Sequence, residues 1–133
     1  GLIKLCFSGK YTEEEVEKLI AGRGGLVSYL GTTDCREVEA MIEDGDKRAA
    51  TVYEAMAYQV AKSIAQMSVA LKGKVDAVIL TGGAAHSKKL PSMIKDYAGH
   101  IAPFVLMPGE NELEALAGGA TRIMRGEEEG REY

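Results

Sequence analysis

Residues 46–71 run without a glycine or proline, and within them Val52, Met56, Val60, Ile64, Met67 and Leu71 recur at steps of three and four. That spacing predicts one amphipathic helix of about seven turns with a single buried stripe. A stripe of that length has to be covered, so the remaining elements are read as what packs around it. On so alanine-rich a helix, Met56 and Met67 read as core filler with no chemistry of their own.

Residues 72–74 break the helix, and Val75, Ala77, Val78, Ile79 and Leu80 then form a nearly continuous apolar run, the pattern of a strand buried on both faces. The run stops at Thr81, Gly82 and Gly83. Residues 87–97 follow as a helix with Pro91 in its first turn, where early N–H groups lack intrahelical partners, and with Met93, Ile94 and Tyr97 directed at the sheet. Residues 101–107 read as a second strand with Pro103 near its start, and Pro108 and Gly109 turn the chain. A last helix runs from Glu110 or Asn111 to Arg125. Its Gly118 and Gly119 each cost about 1 kcal/mol relative to Ala, which points to close packing against a neighbour.

Upstream, Thr12 and Glu15 stand in capping-box spacing at the head of a helix over residues 11–20. Residues 22–34 hold four glycines around a short apolar run and read as loop. Asp34 and Glu37 repeat the capping-box spacing and open a second helix, with Val38, Met41 and Ile42 on one face and Gly45 at its end.

Helix, strand, helix, strand, helix is the order of an α/β layer with parallel strands. Two strands make a poor sheet, so further strands from upstream in a longer parent chain, or from a neighbouring molecule, are expected to complete it. A start at Gly1 without methionine agrees with a fragment, and the 133 residues fit one domain. A flavodoxin-like domain would need about five alternating strands in this length, and two are found.

Apolar residues make up 46% and charged residues 27%, ordinary values for a globular protein. The net charge of -4 and the lack of any Lys/Arg cluster interleaved with aromatics speak against a nucleic-acid binder. No run of 18 apolar residues suggests a membrane span. Cys6 and Cys35 stand apart with no CxxC pair, which suits reduced thiols in a cytoplasm.

In an open α/β sheet, ligands gather at the carboxyl ends of strands. Gly82 and Gly83 there can adopt positive φ and let a flat base or phosphate approach the main chain, with Ser87 capping the next helix. A strand ending in two glycines is equally a tight turn with no ligand. His86 by itself reads as a solvated loop residue, and Asp34 explains itself as an N-cap. Glu110 and Glu112 follow the second strand, where carboxylates would suit Mg2+ or simply complement the helix dipole. No GxxxxGK[ST], GxGxxG or GxSxG is present, which excludes a P-loop, a dinucleotide fingerprint and a nucleophile elbow.

Six collinear blocks covering nearly the whole chain, FSGKYTEEE, GGLVSYLGTTDCREVE, YEAMAYQVAKSIAQM, GKVDAVILTGGAAHSKKL, IAPFVLMPGENELEALAGGA and RGEEE, resemble the butyrate kinases of the acetate kinase family, within the actin-like ATPase superfamily. The resemblance implies a two-lobed enzyme with ribonuclease H-like lobes that moves phosphate reversibly from ATP to butyrate with Mg2+. This chain would be most of the second lobe without its leading strands. Residues 32–36, TTDCR, resemble a Ser-Ser-Asp-aromatic-Arg stretch that touches the nucleotide, which makes Asp34, Cys35 and Arg36 nucleotide-site candidates, with Cys35 in place of the aromatic. Thr81, Gly82, Gly83, Ala84, Ala85, His86 and Ser87 resemble the adenosine motif, whose pattern ends in Gly-Glu-Asn where this chain departs at His86 and Ser87. Against an Asn-Glu-Glu-Leu stretch linked to magnesium, the chain offers Glu110, Asn111, Glu112 and Leu113. The family's catalytic Arg, His and Asp and its carboxylate pocket have no counterpart here, so the expectation is a donor-holding half with ATP or ADP as ligand and negligible turnover alone. The rival reading is a non-catalytic nucleotide-binding or oligomerisation module, with unfinished sheet edges favouring homo-oligomers.

Overall fold

A computed structural model describes residues 1–109 and 112–130. The helices are α1 (Leu2–Cys6), α2 (Glu13–Ile20), α3 (Leu26–Leu30), α4 (Cys35–Glu43), α5 (Lys47–Ala70), α6 (Lys89–Ala98) and α7 (Glu112–Met124), and the strands are β1 (Val78–Gly82) and β2 (Phe104–Pro108). The strands pair in parallel, Val78 opposite Phe104 through Gly82 opposite Pro108, with α6 as the connection between them. This is a mixed α/β arrangement with a two-stranded parallel sheet and flanking helices. Among the described residues, no helix is long and apolar enough to cross a membrane.

Capping chemistry sets most helix starts. Thr12 Oγ1 accepts the Glu15 N–H while Glu15 Oε2 accepts the Thr12 N–H, so α2 opens on a complete capping box. Asp46 Oδ1 accepts the N–H groups of Arg48 and Ala49 and starts α5. At Asp34 the expected box is half formed: Oδ1 accepts the Arg36 N–H, but the Asp34 N–H donates to Thr32 Oγ1, which leaves no role for Glu37.

Residues 22–34 differ from the loop expected. Leu26 and Leu30, one turn apart, pack against the core and hold α3 together, and Gly31 ends it at φ 79°. Gly24 has to be glycine, because a Cβ there would lie 2.2 Å from the Leu19 carbonyl oxygen.

The stripe on α5 is rotated from the one expected. Buried are Ala49, Tyr53, Ala57 and Ala61, four residues apart, while Met56, Val60 and Ile64 flank them and Met67 is 60% exposed. Three of these four are alanines, which let α6 approach closely, and α6 answers with Leu90, Ile94 and Ala98 at the same four-residue step. Val38 of α4 completes the core from the other side. Tyr97 lies off this line: its hydroxyl donates to Glu54 Oε1 and its ring meets Tyr58 edge-on at 5.3 Å.

Strand β1 is buried on one face only, and β2 is exposed on both faces beyond Phe104. Val78 is buried and Leu80 packs on the core with Phe104, but Ile79 points away and is 57% exposed, as period-two alternation requires. β2 begins later than expected because Ile101 N–H donates to the Ala98 carbonyl in the turn out of α6, which places Pro103 ahead of the strand. Helix α7 buries none of its residues, and Cβ atoms added at Gly118 or Gly119 would meet only the Arg122 guanidinium, at 3.5 and 3.8 Å. The close packing expected at these glycines is thus not made among the described residues.

Ala57→Leu forces a larger side chain between α5 and α6 and is expected to destabilise the chain by about 1–3 kcal/mol. Met67→Ala on the exposed side of α5 is expected to change stability by no more than about 0.5 kcal/mol. Urea unfolding followed by circular dichroism checks both, and equal effects would contradict the burial pattern.

Candidate functional site

Two segments far apart in sequence meet in one cleft of about 930 Å³ beyond the carboxyl end of β1. One wall is the start of α4 with Thr33, Asp34, Cys35 and Arg36, continued along the helix by Glu39 and Glu43. The other is the turn after β1 with Gly83, Ala84, His86 and Ser87, continued by Lys88 and Lys89.

The second wall owes its shape to Gly82, whose φ of 74° is open to glycine and strained for other residues. Gly82 and Gly109 exchange N–H to carbonyl bonds at 3.3 Å, which ties the turn to the end of β2. Gly83 does not share the positive φ that was expected of both glycines, and a Cβ added to it would meet nothing within 4 Å. Residues Gly83–His86 form a single 3-10 turn that buries Ala85. Ala85 therefore packs inward, and neither it nor Gly82 lines the cleft. Ser87 caps α6 as its position suggested: Oγ accepts the N–H groups of Lys89 and Leu90, both at 3.0 Å. His86 is exposed at the rim, facing Gly109.

On the first wall, Arg36 folds back on Asp34. Its Nε donates to Oδ1 at 3.0 Å and its Nη2 to Oδ2 at 2.6 Å, in a fork that matches the carboxylate plane. That hydrogen bonding, with the Arg36 N–H adding to it, lowers the Asp34 pKa from the usual 3.8 to about 2. The guanidinium stays open to solvent, its side chain 90% exposed. Cys35 is half-buried and packs on the core, a smaller contact than an aromatic ring would make.

Glu39 was not singled out from the sequence. Its Oε1 accepts the Tyr53 hydroxyl at 2.5 Å and the Ser87 hydroxyl at 2.6 Å, linking both walls to the core. Tyr53 is fully buried, and burial first, then the bond to Glu39, pushes its pKa well above the usual tyrosine value. The available signal was Arg36, Glu39 and Glu43 on one face of a short helix, at steps of three and four.

Charge divides across the cleft, with Glu39 and Glu43 on one side and Lys88 and Lys89 on the other. The starts of α4 and α6 also converge there, and helix N-termini present N–H groups and a positive dipole end to anions. The arrangement suits a ligand with both an anionic part and hydrogen-bond donors. Of the metal candidates, Glu112 is exposed at the first position of α7 and Glu110 lies outside the described residues. Among the described residues no group of three or more His, Cys, Asp or Glu is placed to hold a metal ion.

A chain with these two walls belongs to the Acetokinase family, whose pattern matches residues 5–96 and so takes in both of them. Among individual proteins, it is 56% identical over 127 residues to "Probable butyrate kinase 2" of Caldanaerobacter subterraneus subsp. tengcongensis. That match covers 96% of this chain and 36% of the relative, so the chain spans little more than a third of the relative's length.

Arg36→Ala removes the donor that holds the Asp34 carboxylate and is expected to return its titration from about 2 toward 3.8, read by carboxyl-carbon NMR. Because the folded pKa is depressed, the pair's contribution is complete above 3.8 and fades as pH falls toward 2. An Asp34 midpoint unchanged by the substitution would refute the assignment.

Proposed function

We propose that this chain is the nucleotide-holding part of an acyl kinase that moves phosphate reversibly from ATP to butyrate, or a related short or branched carboxylate, giving an acyl phosphate and ADP. The observation that carries this reading is the convergence of Asp34, Cys35 and Arg36 with Gly83, Ala84, His86 and Ser87 on one cleft, since the family resemblance made both sets nucleotide candidates although they lie far apart in sequence. Membership of the Acetokinase family and the name of the relative supply the reaction class. In this reading the parallel pair is part of a larger ribonuclease H-like lobe, and the open face at Ile79 is where the rest of a longer parent chain lies.

The cleft volume falls within the range of about 300–1,000 Å³ usual for small-molecule sites. The open space above Gly83 leaves room for a base to approach the main chain. Asp34, ionised at neutral pH, accepts a ligand hydroxyl, and Arg36 stacks on the base or meets a phosphate. The positive dipole ends at the starts of α4 and α6 favour the anionic end. Mg2+ neutralises phosphate charge when bound; Glu110 or Glu112 would supply a carboxylate, and the rest of its shell would be water and phosphate, as is usual for this ion. Phosphoryl transfer needs donor and acceptor held in line. This chain holds the donor, and by itself its turnover is negligible. The free thiols Cys6 and Cys35 agree with a cytoplasmic setting.

A second reading, a homo-oligomerisation module that keeps the fold without the chemistry, draws on the apolar side chains exposed on the sheet and on α7, Leu113 at 82% among them. Calorimetric titration with Mg-ADP separates the two. The native chain is expected to bind. Gly83→Val, which fills the open space without forcing a left-handed backbone, is expected to weaken binding at least about tenfold, or 1.4 kcal/mol. Equal binding by both proteins, or by neither, would sink the nucleotide assignment.

A further inference from the structure

Among the described residues, Glu39 is the cleft side chain that bonds to the core helix below and to the opposite wall through one oxygen. Its partners Tyr53 and Ser87 lie 14 and 48 residues away in sequence, so the contact joins three elements that nothing local holds together. Each partner has its own need for that oxygen. The Tyr53 hydroxyl is on a fully buried residue, and a buried phenol requires an acceptor. A serine hydroxyl has one proton and two lone pairs; Ser87 uses the lone pairs on the Lys89 and Leu90 amides, which leaves the proton for Glu39.

We infer that Glu39 is a positioning residue of the cleft: its carboxylate fixes the turn at residues 83–90 against the α4 wall, so that the surfaces receiving the nucleotide are held at a set separation. The inference rests on the nucleotide reading above, and it is distinct from that reading because Glu39 acts on Ser87 and not on the ligand. Tyr53 stays protonated at neutral pH, its pKa raised first by burial, so it remains a donor to Glu39 throughout. The carboxylate therefore has two permanent donors, and the walls do not depend on the ligand for their spacing.

The test begins without ligand, with amide hydrogen exchange on the 133-residue chain. Glu39→Ala is expected to speed exchange at Lys89 and Leu90 by about tenfold, the value of a hydrogen bond to a charged group. Glu39→Gln keeps an acceptor oxygen and is expected to restore most of the protection. The far turns of α5, at residues 62–70, are expected to stay as protected as in the native chain. Unchanged exchange at Lys89 and Leu90 overturns the inference, and so does a uniform loosening that includes residues 62–70.

Glu39→Ala strands the Tyr53 hydroxyl, so the double variant Tyr53→Phe, Glu39→Ala carries the same expectation with no buried orphan. The same variants are then titrated with Mg-ADP, where loss of the tie weakens binding by about tenfold and Glu39→Gln recovers it. Faster exchange with unchanged affinity overturns the positioning role. Failure of the native chain to bind Mg-ADP overturns the nucleotide reading instead, and the exchange result alone then decides whether the tie exists.

Discussion

The depth to which α6 settles on α5 governs this molecule. Ala49, Ala57 and Ala61, with Tyr53 among them, form the line of contact, and Leu90, Ile94 and Ala98 fill the space it leaves. Interiors pack to near-crystalline density, so the separation of two helices follows from the side chains between them. With alanines on the contact line, the start of α6 comes within reach of α4, and a hydroxyl at Ser87 can meet a carboxylate at Glu39. Larger residues on that line would move α6 outward and take one wall of the cleft with it. The cleft is in this sense a product of core packing more than of the loops that line it.

Much of the secondary structure was legible because its boundaries rest on local chemistry. Thr12 with Glu15, Asp34 and Asp46 satisfy amide groups within a few residues, and Pro91 can sit only near a helix start. What depended on the third dimension was less legible. Ala49, Tyr53, Ala57 and Ala61 of α5 repeat every four residues as regularly as the larger apolar side chains beside them, yet the expected stripe ran to Met67 and Leu71, which are exposed. Helix α3 is too short to show a period, and its two leucines make sense only once α5 lies beside them. The apolar run at β1 describes a strand with two faces to bury, and only one is covered here.

The site shows the same division. Residues 34–36 and 82–87 became candidates together only through family resemblance, since nothing in spacing or composition relates segments so distant, and their meeting in one cleft appears only in the fold. Gly82 was legible as a glycine that a turn requires, and its φ bears this out, whereas Gly83 matters for the space above it. Ala85 belongs to the motif but faces the core, so it supports the turn from below. Glu39 could not be picked out, because a glutamate on the polar side of a short helix looks like any solvated charge until Tyr53 and Ser87 arrive from elsewhere.

The two carboxylates of the α4 wall behave differently, and the difference has consequences for recognition. Glu39 is held by a buried phenol and by a hydroxyl whose lone pairs are already committed, so displacing it would leave polar groups without partners inside the protein, a costly outcome. Asp34 is held by Arg36, and the guanidinium sits almost wholly in water. An exposed ion pair contributes little, and water replaces either partner at small cost. An anion entering the cleft can therefore draw Arg36 away from Asp34 while the frame set by Glu39 stays in place. Asp34, freed of the guanidinium, keeps its bond from the Arg36 amide and becomes an available acceptor at the helix start. On the nucleotide reading proposed above, a firm tie beside a yielding one would let the cleft adjust its charge to a ligand without changing its shape.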